Sequence, residues 1–142
     1  MNVVVDASAA LKWFFRSREN EADLDIALDL LHRVAEGSVT LLQPPHFLAE
    51  MSAVLSREVP AMAQVALGDL LDVEMQRVET DAVYARAVEL SLRFKHHLFD
   101  TLYHAVALES QDALLVTADE RYWRKARTAG RIVQLADFSH TR

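Results

Sequence analysis

Four acidic residues occupy positions from which their side chains could meet in one site. Asp6 directly follows the apolar run VVV (residues 3–5), and Asp119 comes two residues after the apolar run ALLVT (residues 113–117). Ligands of open α/β sheets bind outside the carboxyl ends of the strands, so we expect Asp6 and Asp119 to share one edge. Each is equally suited to cap the helix that follows it, because aspartate is favoured at helix starts.

The other two acids are predicted on helices. Asp100 opens the amphipathic stretch DTLYHAVALES (residues 100–110), where helix-start amides favour an anion. Glu50 borders an apolar stripe, and from that border it can lean over the sheet edge. The stripe comprises Phe47, Met51, Val54 and Leu55. Taken singly, Asp100 is an ordinary first-turn aspartate and Glu50 a solvated helix residue; the set of four indicates a site.

A pocket of four carboxylates must take up protons or hold a cation. Two carboxylates ~4 Å apart repel by roughly 4 kcal/mol at an effective dielectric of about 20. The chain has no cysteine and no compelling histidine cluster, so oxygen ligands favour a hard divalent ion, Mg²⁺ or Mn²⁺. Such an ion turns bound water into a nucleophile and stabilises charge on a phosphate. The acids therefore predict metal-dependent hydrolysis of a phosphodiester.

Composition is consistent with a single globular domain over residues 1–142. The net charge of −6 has the wrong sign for holding nucleic acid by bulk charge, so an anionic substrate needs a metal ion or a basic patch. Absence of cysteine excludes disulfides, zinc-thiolate sites and a cysteine nucleophile. Because there is no signal-peptide layout and no apolar run of membrane-spanning length, we expect a cytoplasmic protein without membrane association.

Strand-length apolar runs alternate with helical stretches, and this alternation positions the acids. Strands are predicted at residues 3–6, 38–44, 76–79, 113–117 and 131–135. Helices are predicted at residues 9–16, 22–37, 47–58, 62–73, 82–94, 100–110 and 119–130. Strands separated by helices pair in parallel through right-handed crossovers. The pattern therefore predicts a three-layer α/β/α sandwich with a central, mainly parallel sheet, and it leaves the strand order open.

Basic side chains crowd the segment after Asp119. They are Arg121, Arg124, Lys125, Arg127 and Arg131. They form either a phosphate-binding patch beside the metal site or an ordinary solvated helix face. Phosphate binding would make the affinity for nucleic acid fall with salt, more steeply with each contact.

Four stretches match a known family in order along nearly the whole chain: VVVDASAALKWFF, PPHFLAEMSAVLSR, HHLFDTLYHAVALE and LLVTADERYWRKA. They resemble the PIN domain and, within it, the VapC-type toxins of bacterial toxin–antitoxin pairs. The resemblance implies a PIN-like sandwich, Mg²⁺-dependent endoribonuclease activity with Mn²⁺ as a substitute, inhibition by a cognate antitoxin protein, and a homodimer. Carried over by position, the catalytic and metal-binding acids are Asp6, Glu50, Asp100 and Asp119.

The resemblance also indicates residues that support this quartet. Thr117 and Ser8 stand where family members carry polar residues close to the site, although each hydroxyl could instead cap local backbone. Ala53, three residues after Glu50, departs from the asparagine common in the family, which bears on the orientation of Glu50. We expect the three aspartates to ligate the ion, and Glu50 to orient or deprotonate the attacking water or to ligate a second ion.

Apolar residues in the first 31 positions are expected to pack in the core. The aromatic cluster WFF (residues 13–15) is expected to contact the core or a partner, with base stacking as the alternative. Leu24, Leu28 and Leu31 are expected in the core, with contacts to an antitoxin helix or a second copy as the alternative.

Histidines are expected to be structural. His96, His97 and His104 are interpreted as surface or hydrogen-bonded polar residues, with a ligand or general base as the alternative. Tyr103 is expected to pack near the site.

Rival functions are less compatible with the motifs. A receiver domain needs an acidic pair after its first strand, and an Asp-x-Asp phosphatase needs an aspartate where this chain has Ser8. A PIN-like binding module without activity would be free to lose acids, yet all four are present. A housekeeping RNA-processing nuclease without an antitoxin remains an alternative.

Overall fold

Five short strands form a parallel sheet within the part of the chain that the structure describes, residues 1–15 and 21–140. The structure is a computed structural model. Its strands are β1 (Asn2–Val5), β2 (Thr40–Gln43), β3 (Gln76–Arg77), β4 (Ala113–Thr117) and β5 (Ile132–Gln134). Its helices are α1 (Ala7–Ala10), α2 (Glu21–Ala35), α3 (Phe47–Glu58), α4 (Ala63–Leu71), α5 (Asp81–Phe94), α6 (Leu98–Glu109) and α7 (Glu120–Ala126).

The predicted α/β/α sandwich is confirmed, and the sheet proves to be entirely parallel. The strand order, β3-β2-β1-β4-β5, is information that the sequence pattern did not provide. The chain moves outward from β1 through β2 to β3, then returns to the other side of β1 for β4 and β5. Strand order therefore reverses between β1 and β4, and the crevice beyond such a reversal is where open α/β sheets bind ligands.

Two predicted helices continue as 3₁₀ turns in the structure, and four others (α2, α4, α5 and α6) differ from the prediction by one or two residues at their ends. The predicted helix at residues 9–16 is α1 followed by a 3₁₀ turn, Leu11–Trp13, and Arg16 lies outside the described residues. The predicted helix at residues 119–130 is α7 followed by a 3₁₀ turn, Arg127–Ala129. Tightening into 3₁₀ geometry is common in the last turn of a helix, so the apolar pattern continues past the α-helical part.

The central strands are buried on both faces. Val3, Val4 and Val5 are fully buried, as are Leu115 and Val116 of β4. Burying one such side chain stabilises the fold by roughly 1.5–3 kcal/mol, so the apolar run before Asp6 anchors that end of the sheet. All residues of α6 from 101 to 107 are buried as well, which fixes the helix that carries Asp100.

On α2 the core expectation is confirmed for one of the three leucines. Leu31 packs against the core beside the buried Ala27, Leu30 and Val34, whereas Leu24 and Leu28 are partly exposed. Apolar residues occur on more than one face of α2, so not all of them can turn inward. The packing expected of the aromatic cluster is confirmed for its first residue, because Trp13 is buried and its indole donates a hydrogen bond to Ala27 O at 2.9 Å.

A side-chain amide joins β1 and β2 where their backbone pairing stops. The recorded register pairs Asn2 with Thr40 and Val3 with Leu41. Beyond it, the buried Gln43 amide accepts a hydrogen bond from Val5 N at 2.9 Å and donates one to Val5 O at 2.8 Å. The backbone N–H and C=O of Val5 are thereby satisfied on the side that faces β2.

No helix among the described residues combines the length and the apolar character that crossing a membrane requires.

Candidate metal centre

Asp6 is both a helix cap and a wall of the candidate site. It ends β1 as the N-cap of α1, and its side chain is 8% exposed. Its Oδ1 accepts hydrogen bonds from Ser8 Oγ at 2.6 Å and from Ala9 N at 3.1 Å, and its Oδ2 accepts one from Thr117 Oγ1 at 2.5 Å. The two interpretations that the sequence left open are therefore compatible.

Burial raises the pKa of Asp6 to about 6, even though its hydrogen bonds from Ser8, Thr117 and Ala9 act in the opposite direction. The negative charge of Asp100 contributes a further increase in this pKa. Desolvation penalises the charged carboxylate, and a nearby like charge adds to the penalty. A cation bound beside these carboxylates would offset both effects.

Two hydroxyl groups link the ends of β1 and β4. Thr117 Oγ1 accepts a hydrogen bond from Asp119 N at 3.0 Å while donating to Asp6. Ser8 Oγ accepts one from Ala118 N at 2.9 Å. Asp119 is the N-cap of α7, and its Oδ1 accepts a hydrogen bond from Tyr122 N at 3.0 Å. Thr117 thus contacts the Asp6 side chain and local backbone at Asp119, whereas Ser8 contacts the same side chain and the distant backbone of Ala118.

Asp100 lies in the first turn of α6 and is partly exposed. Its Oδ2 is 2.9 Å from Nε2 of His96, a residue in the loop before α6. One ligand atom from each of His96, Asp100 and Asp119 lies within 4.8 Å of the others. These three side chains therefore stand close enough to share one ion.

Glu50 is positioned by a tyrosine from another helix. It lies in the first turn of α3, and its Oε1 accepts a hydrogen bond from Tyr103 Oη at 2.7 Å. Burial and the charge of Glu50 raise the pKa of the Tyr103 phenol, so this phenol stays protonated and remains a donor. Ala53 is exposed on the same helix. Tyr103 thus orients Glu50 in a chain that lacks the family's asparagine.

Two tyrosines lie close enough to the four acids for the negative charges of those acids to raise their pKa. Glu50, Asp6 and Asp100 all raise the pKa of Tyr103. Asp100, Asp6 and Asp119 all raise the pKa of Tyr122, after burial as the main cause. Such effects fall off with distance, so the acids lie around one region at the edge of the sheet.

The donors in this region fit a hard divalent cation. Carboxylate oxygens predominate, and in the described part of the chain no hydrogen bond reaches Oδ1 of Asp100.

The basic residues after Asp119 do not form one uniform patch. Arg124 pairs with Glu120, and Lys125 contacts His96 at 3.3 Å. Arg121 is exposed, and no hydrogen bond or ion pair involves it among the described residues. Arg127 stacks on Trp123, and Arg131 donates hydrogen bonds to carbonyls at the end of α6. Of the five residues in the predicted phosphate-binding patch, Arg121 is therefore the candidate for a phosphate contact.

Sequence reasoning interpreted one histidine correctly and underestimated another. His104 is fully buried, with Nε2 donating to Gly130 O and Nδ1 accepting from Tyr122 Oη, both at 2.8 Å. Burial lowers its pKa, as expected for a neutral hydrogen-bonded core residue. His96, which was expected to be structural, contacts the acidic cluster. Its spacing of four residues before Asp100 was the available signal.

Comparison with solved structures supports the fold. A chain of the VapBC2 complex from Rickettsia felis bound to a promoter DNA fragment superposes with a TM-score of 0.67 at 16% identity, covering 94% of this chain and 97% of that chain. A chain of VapBC-1 from nontypeable Haemophilus influenzae gives a TM-score of 0.64 at 13% identity, covering 95% and 98%. No curated protein matches the sequence significantly.

The sequence itself matches a family profile over most of its length. Residues 3–128 match the PIN domain. That span includes β1 to β4, α7 and all four acids. The chain belongs to the PIN domain family.

Proposed function

We propose that this protein is a Mg²⁺-dependent endoribonuclease, a single domain over residues 1–142 that acts in the cytoplasm as the toxin of a toxin–antitoxin pair. One observation carries the proposal: four acids of a PIN domain chain surround the point where strand order reverses in a parallel sheet. The fold shared with chains of two VapBC complexes supports the toxin role.

Asp6, Asp100 and Asp119 would hold Mg²⁺, or Mn²⁺ in its place. When bound, the ion supplies an activated water and neutralises charge that develops on the phosphate. Glu50 keeps Oε1 on the Tyr103 hydroxyl, which leaves Oε2 to take a proton from the attacking water. The water oxygen forms a bond to phosphorus as the bond to the leaving ribose oxygen breaks.

RNA would approach through a cleft beside Ser8. The cleft has a volume of about 280 Å³, and its lining combines the apolar side chains of Leu11 and Val54 with the cationic Arg57. Arg57 pairs with Glu58 at 3.4 Å on the surface, so an RNA phosphate would compete with that carboxylate for the guanidinium.

A cognate antitoxin would occupy the grooves on either side of α4. One groove of about 430 Å³ is lined by Trp13, Phe14, Val59, Met62, Val65, Ala66 and Asp69. The other, of about 400 Å³, contains Leu31 and Val34 of α2. Met62 and Val65 are more than half exposed, which suits the apolar face of a partner helix. Val65→Glu should weaken complex formation in a co-purification with the antitoxin, and an undiminished yield would exclude this groove.

A homodimer would use the outer face of α5. Tyr84, Val88 and Leu92 are exposed at a spacing of four residues, so they form one stripe. Two antiparallel copies crossing at Val88 would place Tyr84 opposite Leu92 and Asp81 opposite Lys95. Leu92→Glu should convert a dimer into a monomer in light scattering, and a variant that stays dimeric would assign the contact to another surface.

RNA cleavage by purified protein tests the catalytic part of the proposal. We expect Mg²⁺-dependent cleavage that EDTA abolishes. Asp6→Asn and Asp100→Asn should each remove several kcal/mol of transition-state stabilisation, about a 1000-fold loss of rate. Asp25→Asn, an exposed change on α2, is the matched control and should cleave at the wild-type rate.

Two results would contradict the proposal. Cleavage at the wild-type rate by Asp100→Asn would show that the acidic site does not catalyse the reaction. Metal-dependent cleavage without growth arrest on induced expression would favour a housekeeping nuclease over a toxin.

A further inference from the structure

The loop residue His96 is held in place independently of Asp100. Its backbone N–H donates to Ser91 O at 3.2 Å, and Ser91 Oγ donates to His96 O at 2.6 Å. Its ring centroid lies 4.7 Å from that of Tyr122, and its side chain is only 10% exposed. The imidazole is therefore a fixed group beside a carboxylate that is 43% exposed.

Lys125 determines which imidazole nitrogen carries the proton. Its Nζ lies 3.3 Å from Nδ1 of His96. An ammonium group only donates hydrogen bonds, so Nδ1 accepts and the proton of the neutral ring resides on Nε2. Nε2 then donates to Asp100 Oδ2 at 2.9 Å. The result is a directed chain from α7 through His96 to the first turn of α6.

This polarity argues against His96 as a direct metal ligand. One ring nitrogen of His96 is near enough to the carboxylates of Asp100 and Asp119 to share an ion with them, and Nε2 is the nitrogen that faces Asp100. Ligation through Nε2 would require its lone pair, which moves the proton to Nδ1 and sets two donors against each other at Lys125. Donation to Oδ2 instead leaves Oδ1 of Asp100 open.

We infer that His96, oriented by Lys125, is a positioning residue that fixes the Asp100 carboxylate so that its Oδ1 faces the divalent ion. This inference rests on the metal site of the proposed function and assigns Lys125 an anchoring role in place of phosphate binding. An exposed aspartate loses rotamer freedom when an ion binds, and His96 removes that freedom beforehand.

The affinity for Mn²⁺, measured by electron paramagnetic resonance on the full chain, tests the inference without RNA. His96→Leu should weaken Mn²⁺ binding by about 10- to 100-fold, the usual effect of losing a group that orients a metal ligand. His96→Gln should restore most of the affinity, because its amide N–H can reach the former Nε2 position. Lys125→Met should weaken binding in the same direction by less.

His97→Ser is the matched control. Nδ1 of His97 caps α6 by accepting from Phe99 N, and serine retains a capping acceptor while removing the imidazole. Its Mn²⁺ affinity should equal that of the wild type. Far-UV circular dichroism checks that each variant is folded, and His96→Gln and Lys125→Met keep the test decisive if His96→Leu does not fold.

Three results would overturn the inference. The first is unchanged Mn²⁺ affinity in folded His96→Leu. The second is nitrogen modulation in the wild-type electron spin echo, with no rescue by glutamine, which would make His96 a direct ligand. The third is a wild type that binds no Mn²⁺, which defeats the proposed metal site as well. A protein that binds Mn²⁺ but cleaves no RNA would defeat the proposed nuclease and leave the positioning role intact.

Discussion

The candidate site has two walls built on opposite principles. The strand-end wall consists of Asp6, Ser8 and Thr117. The helix wall consists of Glu50 and Asp100 with their partners Tyr103 and His96. Asp6 is 8% exposed and accepts three hydrogen bonds, whereas the Asp100 side chain is 43% exposed and contacts one imidazole.

This contrast shows that the two walls make different contributions: one fixes a carboxylate in position, and the other lets an ion reach a carboxylate. A carboxylate buried among donors cannot move, and its charge destabilises the fold until a cation arrives. A carboxylate at the opening can meet the ion early, but other side chains must hold its rotamer. The same residue type therefore contributes rigidity at one wall and accessibility at the other.

The largest expected difference between the walls is in stability against pH. The Asp6 pKa is about 6 in the folded protein and 3.8 as the unperturbed value, so the folded state binds more protons between these pH values. The free energy of unfolding should therefore fall as pH rises through this window, by up to about 3 kcal/mol from Asp6 alone. Asp6→Asn keeps the Oδ1 cap and should remove this loss.

Urea unfolding in EDTA from pH 4 to pH 8 measures this effect as the difference between Asp6→Asn and the wild type. The difference should grow in favour of the variant up to about pH 7. Asp100→Asn provides the comparison from the helix wall: it removes only the smallest contribution to the Asp6 shift, so the difference should grow much less than for Asp6→Asn. A constant difference for Asp6→Asn would mean that its burial carries no charge penalty.

A second contrast concerns the hydrogen bonds at each wall. Thr117→Val leaves Asp6 and Asp119 N without their shared partner and should destabilise the protein by about 1.5–3 kcal/mol, as expected for a bond to a charged group. Tyr103→Phe frees Glu50, which is partly exposed, and should cost only about 1 kcal/mol while lowering kcat. Equal destabilisation by the two changes would remove the distinction between the walls.

The smallest expected effect lies outside both walls, at Arg121. If this side chain binds one phosphate, Arg121→Ala should weaken RNA binding by an amount that does not depend on RNA sequence. It should also reduce the slope of log affinity against log salt by about 1. Arg127→Ala, whose guanidinium already stacks on Trp123, is the control, and a slope unchanged in both variants would exclude Arg121 from the interface.

The sequence predicted those features that a local pattern determines. The strand at residues 113–117 and the helix at residues 47–58 have the predicted ends, because a continuous apolar run and an amphipathic period each specify one element. The positions of the acids relative to these elements then followed. On α2 the inward leucines were predicted only in part: Leu31 packs against the core as expected, but Leu30 is buried in place of Leu24 and Leu28, since leucines occur on more than one side of that helix.

Features that depend on distant segments could not be predicted in this way. Strand order has no local signal, because each parallel connection is compatible with either side of β1. Tyr103 reaches Glu50 across 53 residues, and His96 meets Lys125 across 29. Both contacts exist only after the helices dock, so the sequence showed which acids to compare but not which neighbours orient them.

The Gln43 amide has a consequence for the spacing of the strand ends beside Asp6. Backbone pairing holds adjacent strands about 4.8 Å apart. A bridge of side-chain hydrogen bonds, such as the one from Gln43 to Val5, can span a wider gap between the ends of two strands. Gln43 therefore helps to set the distance between the ends of β1 and β2, next to Asp6. Gln43→Asn shortens this side chain by one methylene. The ends of β1 and β2 would then either move closer together to keep the two hydrogen bonds or separate and lose them.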